Sequence, residues 1–212
     1  MSGQEPGLRE LKKQMTRENI ADAAFRLTVE KGLEHVTVDE IAQQAFVSPR
    51  TVSNYFSGKE EAVVSAEEQE WFSLVYDFSQ RSADEHPLDS LCEVVTEFAR
   101  SRNKAQIDLI VQKADLAQRY PALQPFQAAQ YEKVEEALYD EIVARTGGDS
   151  EELGMFPRLV AGVAVCALRT ALRQWVSNGA QPEDLPDLLE RAFRQVREGL
   201  PVPETTNDST EG

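Results

Sequence analysis

The chain has little of what catalysis, secretion or metal binding draws on. Its two cysteines, Cys92 and Cys166, lie far apart and in no metal or redox spacing, so no disulfide framework or zinc site is written into it, and both read as small core hydrophobes. Its two histidines, His35 and His86, have no cysteine or carboxylate at a recognisable spacing, which leaves no catalytic residue, metal ligand or cofactor site to expect. The longest apolar run, Leu159 to Leu168, is too short to cross a bilayer, and MSGQEPG lacks the apolar core of a signal peptide. A cytoplasmic protein with no membrane partner is therefore expected. No stretch alternates apolar and polar residues like a strand, and no repeat or heptad array appears, so the fold class is all-α.

Basic charge is also scarce. Lys and Arg number 22 against 37 Asp and Glu, a formal net charge of -15. Spread evenly, that balance would oppose nucleic-acid binding, but it is not even. Residues 1–65 carry -2 and the remainder -13, and Arg9, Lys12, Lys13 and Arg17 make a local basic strip near the start. The acidic pairs elsewhere read as solvated helix faces.

What is present is helix signal. Thr37 can cap a helix, with Glu40 three residues on completing a capping box, and Val38, Ile41, Ala42 and Ala45 recur at helical spacing. After a break at Phe46-Val47, Ser48 caps a second short helix and Pro49 takes its first turn. Val52 and Phe56 point back at the first helix, leaving Pro49, Arg50, Thr51, Ser53, Asn54 and Tyr55 facing outward. Small hydrogen-bonding groups with one guanidinium and one phenol suit phosphates and base edges in a major groove. Spacing alone equally allows a structural hairpin with a polar surface.

Ahead of the hairpin, residues 1 to about 14 are expected to be flexible at first and to turn helical near Leu8, and Thr16 is placed to cap a helix that Gly32 ends. Behind it, a continuous fourth helix is expected from Lys59 to about Arg81, a fifth from Pro87, a sixth over 104–119 and a seventh from Phe126 to Arg145. Two last helices follow, from Glu151 to Asn178 and from Glu183 to Gly199, about nine in all. The first is rich in Ala and Gly and the second carries an apolar stripe, so together they invite a twofold partner, with Trp175 assigned to that interface. The tail over 201–212 is polar and expected to be disordered.

As a set, the capped helix, IAQQA, VS, TVSNYF and the following Lys59, within residues 16–63, resemble the DNA-binding domain of TetR-family transcriptional regulators. The resemblance implies an N-terminal arm and helix-turn-helix domain over 1–58 and a larger helical effector-binding and dimerisation domain over 59–200. It implies that Thr51 and Tyr55 meet phosphates or bases, that Pro49, Arg50 and Asn54 lie at the groove with Ser48 and Ser53, and that Thr37 and Lys59 touch the backbone at its flanks. Arg50 is the contact expected to read a base, through its two-pronged donor geometry, and the stretch before Arg17 is placed as an arm. Two positions depart from the family pattern. Phe46 stands where the family usually has glycine, and Ser53 where an aromatic is common.

The resemblance further implies a double-stranded DNA operator, a homodimer through the last two long helices and a small effector. The expected function is a homodimeric repressor released from a palindromic operator by a small, largely apolar molecule. Aromatic and polar candidates for that pocket are Trp71, Phe72, Tyr76, Phe98, Gln112, Tyr131, Tyr139 and Cys166. The alternatives are a helical protein-interaction module that does not bind DNA, and an enzyme.

Overall fold

The computed structural model describes residues 7–147 and 150–202, and every regular element among them is helical. The smaller end contains α1 (Leu8–Lys31), α2 (Val38–Gln44), α3 (Pro49–Tyr55) and α4 (Lys59–Val64). The larger end contains α5 (Glu68–Ser79), α6 (Pro87–Arg100), α7 (Lys104–Arg119), α8 (Gln124–Thr146), the single turn α9 (Ser150–Leu153), α10 (Phe156–Ser177) and α11 (Asp184–Arg197). Residues 1–6 of the expected arm and 203–212 of the expected tail lie outside the described residues.

Two expectations about helix ends are corrected. α1 begins at Leu8, because nothing in LRELKKQM breaks a helix, and Thr16 lies inside it with its hydroxyl donating to the Lys12 carbonyl at 2.8 Å. Arg9, Lys12 and Lys13 thus stand on an ordered helix, which starts where a helical turn near Leu8 is expected. The expected fourth helix is not continuous. A 3-10 turn at Ser65–Glu67 separates α4 from α5, and this break together with α9 accounts for the helices beyond the nine expected.

The buried side chains form two clusters. One holds Ile20, Ala24, Phe25, Ile41, Val52, Phe56 and Ala62 from α1 to α4, and it also takes in Leu116 from the end of α7 and Leu123 from the turn before α8. The larger end therefore inserts two leucines into the core of the smaller one. The second cluster is built around α10, which packs on α11, α8, α6 and α7. α10 has the length and hydropathy of a membrane span, but its Val160, Ala161, Ala164, Ala167, Ala171 and Trp175 are buried in this core. Its small residues let neighbouring axes come close.

Trp175 is corrected from interface to core. Its side chain is fully buried, and its indole N–H donates to the Gln181 carbonyl at 2.6 Å, fastening the turn between α10 and α11. Cys166 is likewise corrected, being exposed on α10 while Cys92 is half-buried and its thiol is pushed up by burial. His86 has a structural post: its Nδ1 accepts from the Leu88 N–H at 3.2 Å and so caps α6.

Candidate nucleic-acid interface and ligand cavity

The hairpin forms as its local chemistry dictates. Thr37 Oγ1 accepts from the Glu40 N–H at 3.3 Å, and Glu40 Oε2 accepts from the Thr37 N–H at 2.9 Å, a reciprocal capping box. Lys31 pairs with the same carboxylate. Hydrogen bonding by Lys31 first, then by the Thr37 hydroxyl and backbone, holds the Glu40 carboxyl down at about 2. The folded pKa lies below the ordinary 4.5, so the stability this site contributes is complete above that value and drains away as pH falls toward about 2. A melting-temperature series between those limits is expected to show a shallower acid loss for Glu40→Gln than for the native chain. Parallel curves would mean that the carboxylate is not held as described.

The turn between α2 and α3 keeps its hydrogen bonds despite its unusual residue. The Phe46 N–H donates to the Gln43 carbonyl at 3.2 Å and the Val47 N–H to the Ala42 carbonyl at 2.9 Å, a Schellman ending for α2. Phe46 holds the left-handed position with φ 55°, and its side chain is 94% exposed. A left-handed non-glycine residue costs about 1–2 kcal/mol, and glycine would return about 0.5–1 kcal/mol of that through its greater freedom in the unfolded chain. Phe46→Gly is therefore expected to raise stability by roughly 0.5–1 kcal/mol, read as a higher denaturation midpoint. A lower midpoint would show that the ring makes a stabilising contact.

On α3, Ser48 Oγ accepts from the Thr51 N–H at 3.1 Å and shares a hydrogen bond of 2.8 Å with the Thr51 hydroxyl. Ser53 donates its hydroxyl to the Pro49 carbonyl at 3.2 Å. Pro49, Arg50, Ser53 and Asn54 are exposed, while Thr51 and Tyr55 are half-buried. Among the described residues, the side chains of Arg50 and Asn54 hold no ion pair or hydrogen bond, so their donors are available to a partner molecule. Lys59 is different from expectation. Its ammonium donates to the Leu33 carbonyl at 2.7 Å and the Val36 carbonyl at 3.0 Å, ending the 3-10 turn between α1 and α2 and leaving one N–H for anything outside.

Arg17 leaves the basic strip altogether. It points inward, donating through Nε to Glu68 at 2.9 Å, through Nη1 to the Tyr55 carbonyl at 2.9 Å and through Nη2 to the Ser65 hydroxyl at 3.3 Å. Its guanidinium also lies over the Phe56 ring, 4.4 Å from the centroid. One side chain of α1 thus ties the last turn of α3 to the first turn of α5. Local spacing marks Arg17 as a surface base, since its partners are 38 to 51 residues away.

In the larger end, α5, α6, α7, α8, α10 and α11 line a half-open cavity of about 740 Å³, within the range of small-molecule sites. Trp71, Phe98 and Tyr131 line it as expected, with Tyr131 edge-on to Trp71 at 5.8 Å. The other five candidates lie elsewhere. Phe72 and Tyr76 are exposed because α5 turns Trp71, Leu74 and Phe78 inward, which puts its next positions on the outer face. Gln112 is exposed for the same reason, the inward residue being Lys113. Tyr139 lies under the Arg158 guanidinium at 3.9 Å, and Cys166 is on the outer face of α10.

The wall is also more polar than expected. Lys113, Arg169 and Arg173 face it with a single carboxylate, Glu70. Lys113 is almost wholly buried, donating to the Ala66 carbonyl at 3.2 Å and lying 3.6 Å from Glu70. An apolar-periodicity reading passes over a lysine in such a place, since nothing local marks it as buried.

Known proteins share both halves of this arrangement. Residues 20–65 match the family model of bacterial regulatory proteins, tetR family, and residues 85–201 match that of the MftR C-terminal domain. The HTH-type transcriptional regulator TcmR of Streptomyces glaucescens is 30% identical over 178 residues, 80% of this chain and 77% of that protein. The FadR transcriptional repressor of Thermus thermophilus, solved with lauroyl-CoA, superposes with a TM-score of 0.51 at 25% identity, covering 90% of this chain and 97% of that one. SmeT, the repressor of a Stenotrophomonas maltophilia efflux pump, solved with triclosan, gives a TM-score of 0.55 over 90% of this chain and 96% of that one, at 18% identity.

Proposed function

The chain belongs to the TetR family of transcriptional regulators, with a DNA-binding and a ligand-binding domain, and from that premise we propose that it is a homodimeric repressor released from a palindromic operator by a small organic effector. Residues 1–58 are assigned to the arm and DNA-binding domain and 59–200 to the effector-binding and dimerisation domain, in a cytoplasmic protein. Arg50, Asn54, Thr51 and Tyr55, with Pro49, Ser48, Ser53 and Thr37, form the proposed DNA face, and Lys59 acts through the one N–H its carbonyl partners leave.

The observation that carries this reading is the Arg17 tie. α5 supplies Glu70, Trp71 and Leu74 to the cavity wall, and Glu68, one turn earlier on the same helix, is bound through Arg17 to the end of the reading helix. A ligand that moves α5 is thus coupled through direct contacts to α3. If it favours an arrangement in which two reading helices no longer stand about 34–36 Å apart, linkage requires that it weaken operator binding. For the second copy, α10 and the residue that precedes it present Met155, Phe156 and Leu159 with 77%, 39% and 58% exposure, an apolar start to the face proposed for the dimer.

The test is fluorescence anisotropy with DNA from upstream of the gene. Sequence-preferring binding that falls steeply with salt, a two-to-one stoichiometry per site and loss of binding on adding a cavity ligand are expected. Binding that shows no sequence preference at any salt concentration would overturn the proposal.

A further inference from the structure

Resting on the reading of the cavity as an effector site, we infer that its occupant is an amphiphile with an anionic head, a carboxylate or phosphate, held by Arg169 and Arg173. In a chain of net charge -15, the cavity wall is positive, and its one carboxylate is already engaged by Lys113. Arg169 and Arg173, one turn apart on the same face of α10, are left over. Among the described residues, neither has a carboxylate within 4.0 Å.

Arg169 is the more telling of the two. Its guanidinium meets the Tyr131 ring 5.0 Å from the centroid, and its Nε is buried with no protein acceptor. A ring face attracts the cation but accepts no in-plane hydrogen bond, so stacking orients the guanidinium while its N–H edge stays unspent. Burying such a donor costs free energy until an acceptor reaches it, and a planar carboxylate or a phosphate fits the fork with two parallel bonds. The apolar part of the same ligand has Leu74, Val95, Phe98, Leu172, Leu185 and Leu189 to pack on. A neutral hydrophobe would fill that side and leave Arg169 as it is. A cationic amphiphile would face two uncompensated positive charges.

The experiment is isothermal titration calorimetry of the full chain with four probes sharing one tail: decanoate, decyl phosphate, decanol and decyltrimethylammonium. The two anions are expected to bind at least about tenfold more tightly than decanol, in line with the strength of charged hydrogen bonds, and the cation more weakly than decanol. Whichever anion binds more tightly identifies the head group. Arg169→Met, which keeps the stem over Tyr131, is expected to remove most of the anion preference and to leave decanol affinity unchanged. Arg173→Gln, at an exposed position that the fold does not need, is expected to remove a smaller share.

Equal affinity for decanol and the anions, or an anion preference that survives Arg169→Met, overturns the inference. The DNA readout separates it from the reading it rests on. If the anions bind in an Arg169-dependent way but never loosen the operator complex, the anion site stands and the effector role falls. If decanol binds as tightly as the anions and loosens the complex, the effector role stands and the anion site falls.

Discussion

Arg50→Glu is expected to abolish operator binding, with a loss of about a thousandfold or more at fixed salt and no change in the denaturation midpoint. Arg50 occupies the second position of α3, is exposed, and holds no ion pair or hydrogen bond among the described residues. Its removal should cost the fold no more than about 0.5 kcal/mol, as for other unengaged surface positions. A guanidinium reading a guanine contributes about 1–3 kcal/mol, and a twofold repressor uses it twice. Reversal adds repulsion from the phosphates to the lost contacts. Anisotropy against the upstream DNA checks the loss, and thermal unfolding checks that the domain is intact. If the variant binds within about threefold of the native chain, Arg50 does not face the groove, and a hairpin used for protein contact becomes the better reading.

The hairpin of α2 and α3 is legible in the sequence because everything that shapes it is local. Thr37 and Glu40, Ser48 and Pro49, and the apolar spacing of Ile41, Ala42, Val52 and Phe56 each act over a few residues, and each stands in the structure where its spacing puts it. Phe46 shows the reach of such signals. The turn demands a left-handed residue and obtains it from a phenylalanine, its hydrogen bonds over-determining the backbone.

The cavity was only half legible, for a different reason. Its membership depends on helical phase, and one position of error moves a side chain by 100°. Trp71 lies on the cavity wall, whereas Phe72, equally aromatic, is on the outer face. Lys113, Arg169 and Arg173 carried no expectation at all, because a charged residue announces burial only through neighbours that are distant in sequence. Trp175 was misplaced in the same way. Its partner, the Gln181 carbonyl, belongs to a turn whose path is set by tertiary packing.

Arg17→Met tests the coupling itself and is expected to have the second-largest effect. The methionine keeps the aliphatic stem but removes three hydrogen bonds, to Glu68, to Ser65 and to the carbonyl at the end of α3. It also takes from Glu61 and Glu68, each less than a third exposed, the guanidinium they share, and leaves Lys133, 3.2 Å from Glu68, as the cation beside them. Burial would raise the Glu61 carboxyl, but donation from the Ser57 N–H and hydroxyl, with Arg17 nearby, holds it below its ordinary range. The variant therefore keeps the charge there, with Ser57 and Lys133 still beside it, and loses the guanidinium. Charged hydrogen bonds contribute about 1.5–3 kcal/mol each when buried, and discounting for partial exposure leaves an expected stability loss of about 2 kcal/mol for the whole set. The functional effect differs in kind from that of Arg50→Glu. With α3 no longer tied to α5, operator affinity should fall about tenfold, and the factor by which the tightest decyl probe weakens DNA binding should shrink toward one. Allosteric coupling of the usual size, about 1–3 kcal/mol, makes that collapse measurable as two affinities, with and without saturating probe. Arg17→Lys separates charge from geometry, since a single ammonium cannot span Tyr55, Ser65 and Glu68 together. It should recover much of the stability and little of the coupling. Intact coupling in both variants would mean that the signal from the cavity reaches α3 by another route, through Leu116 and Leu123 in the core of the smaller end.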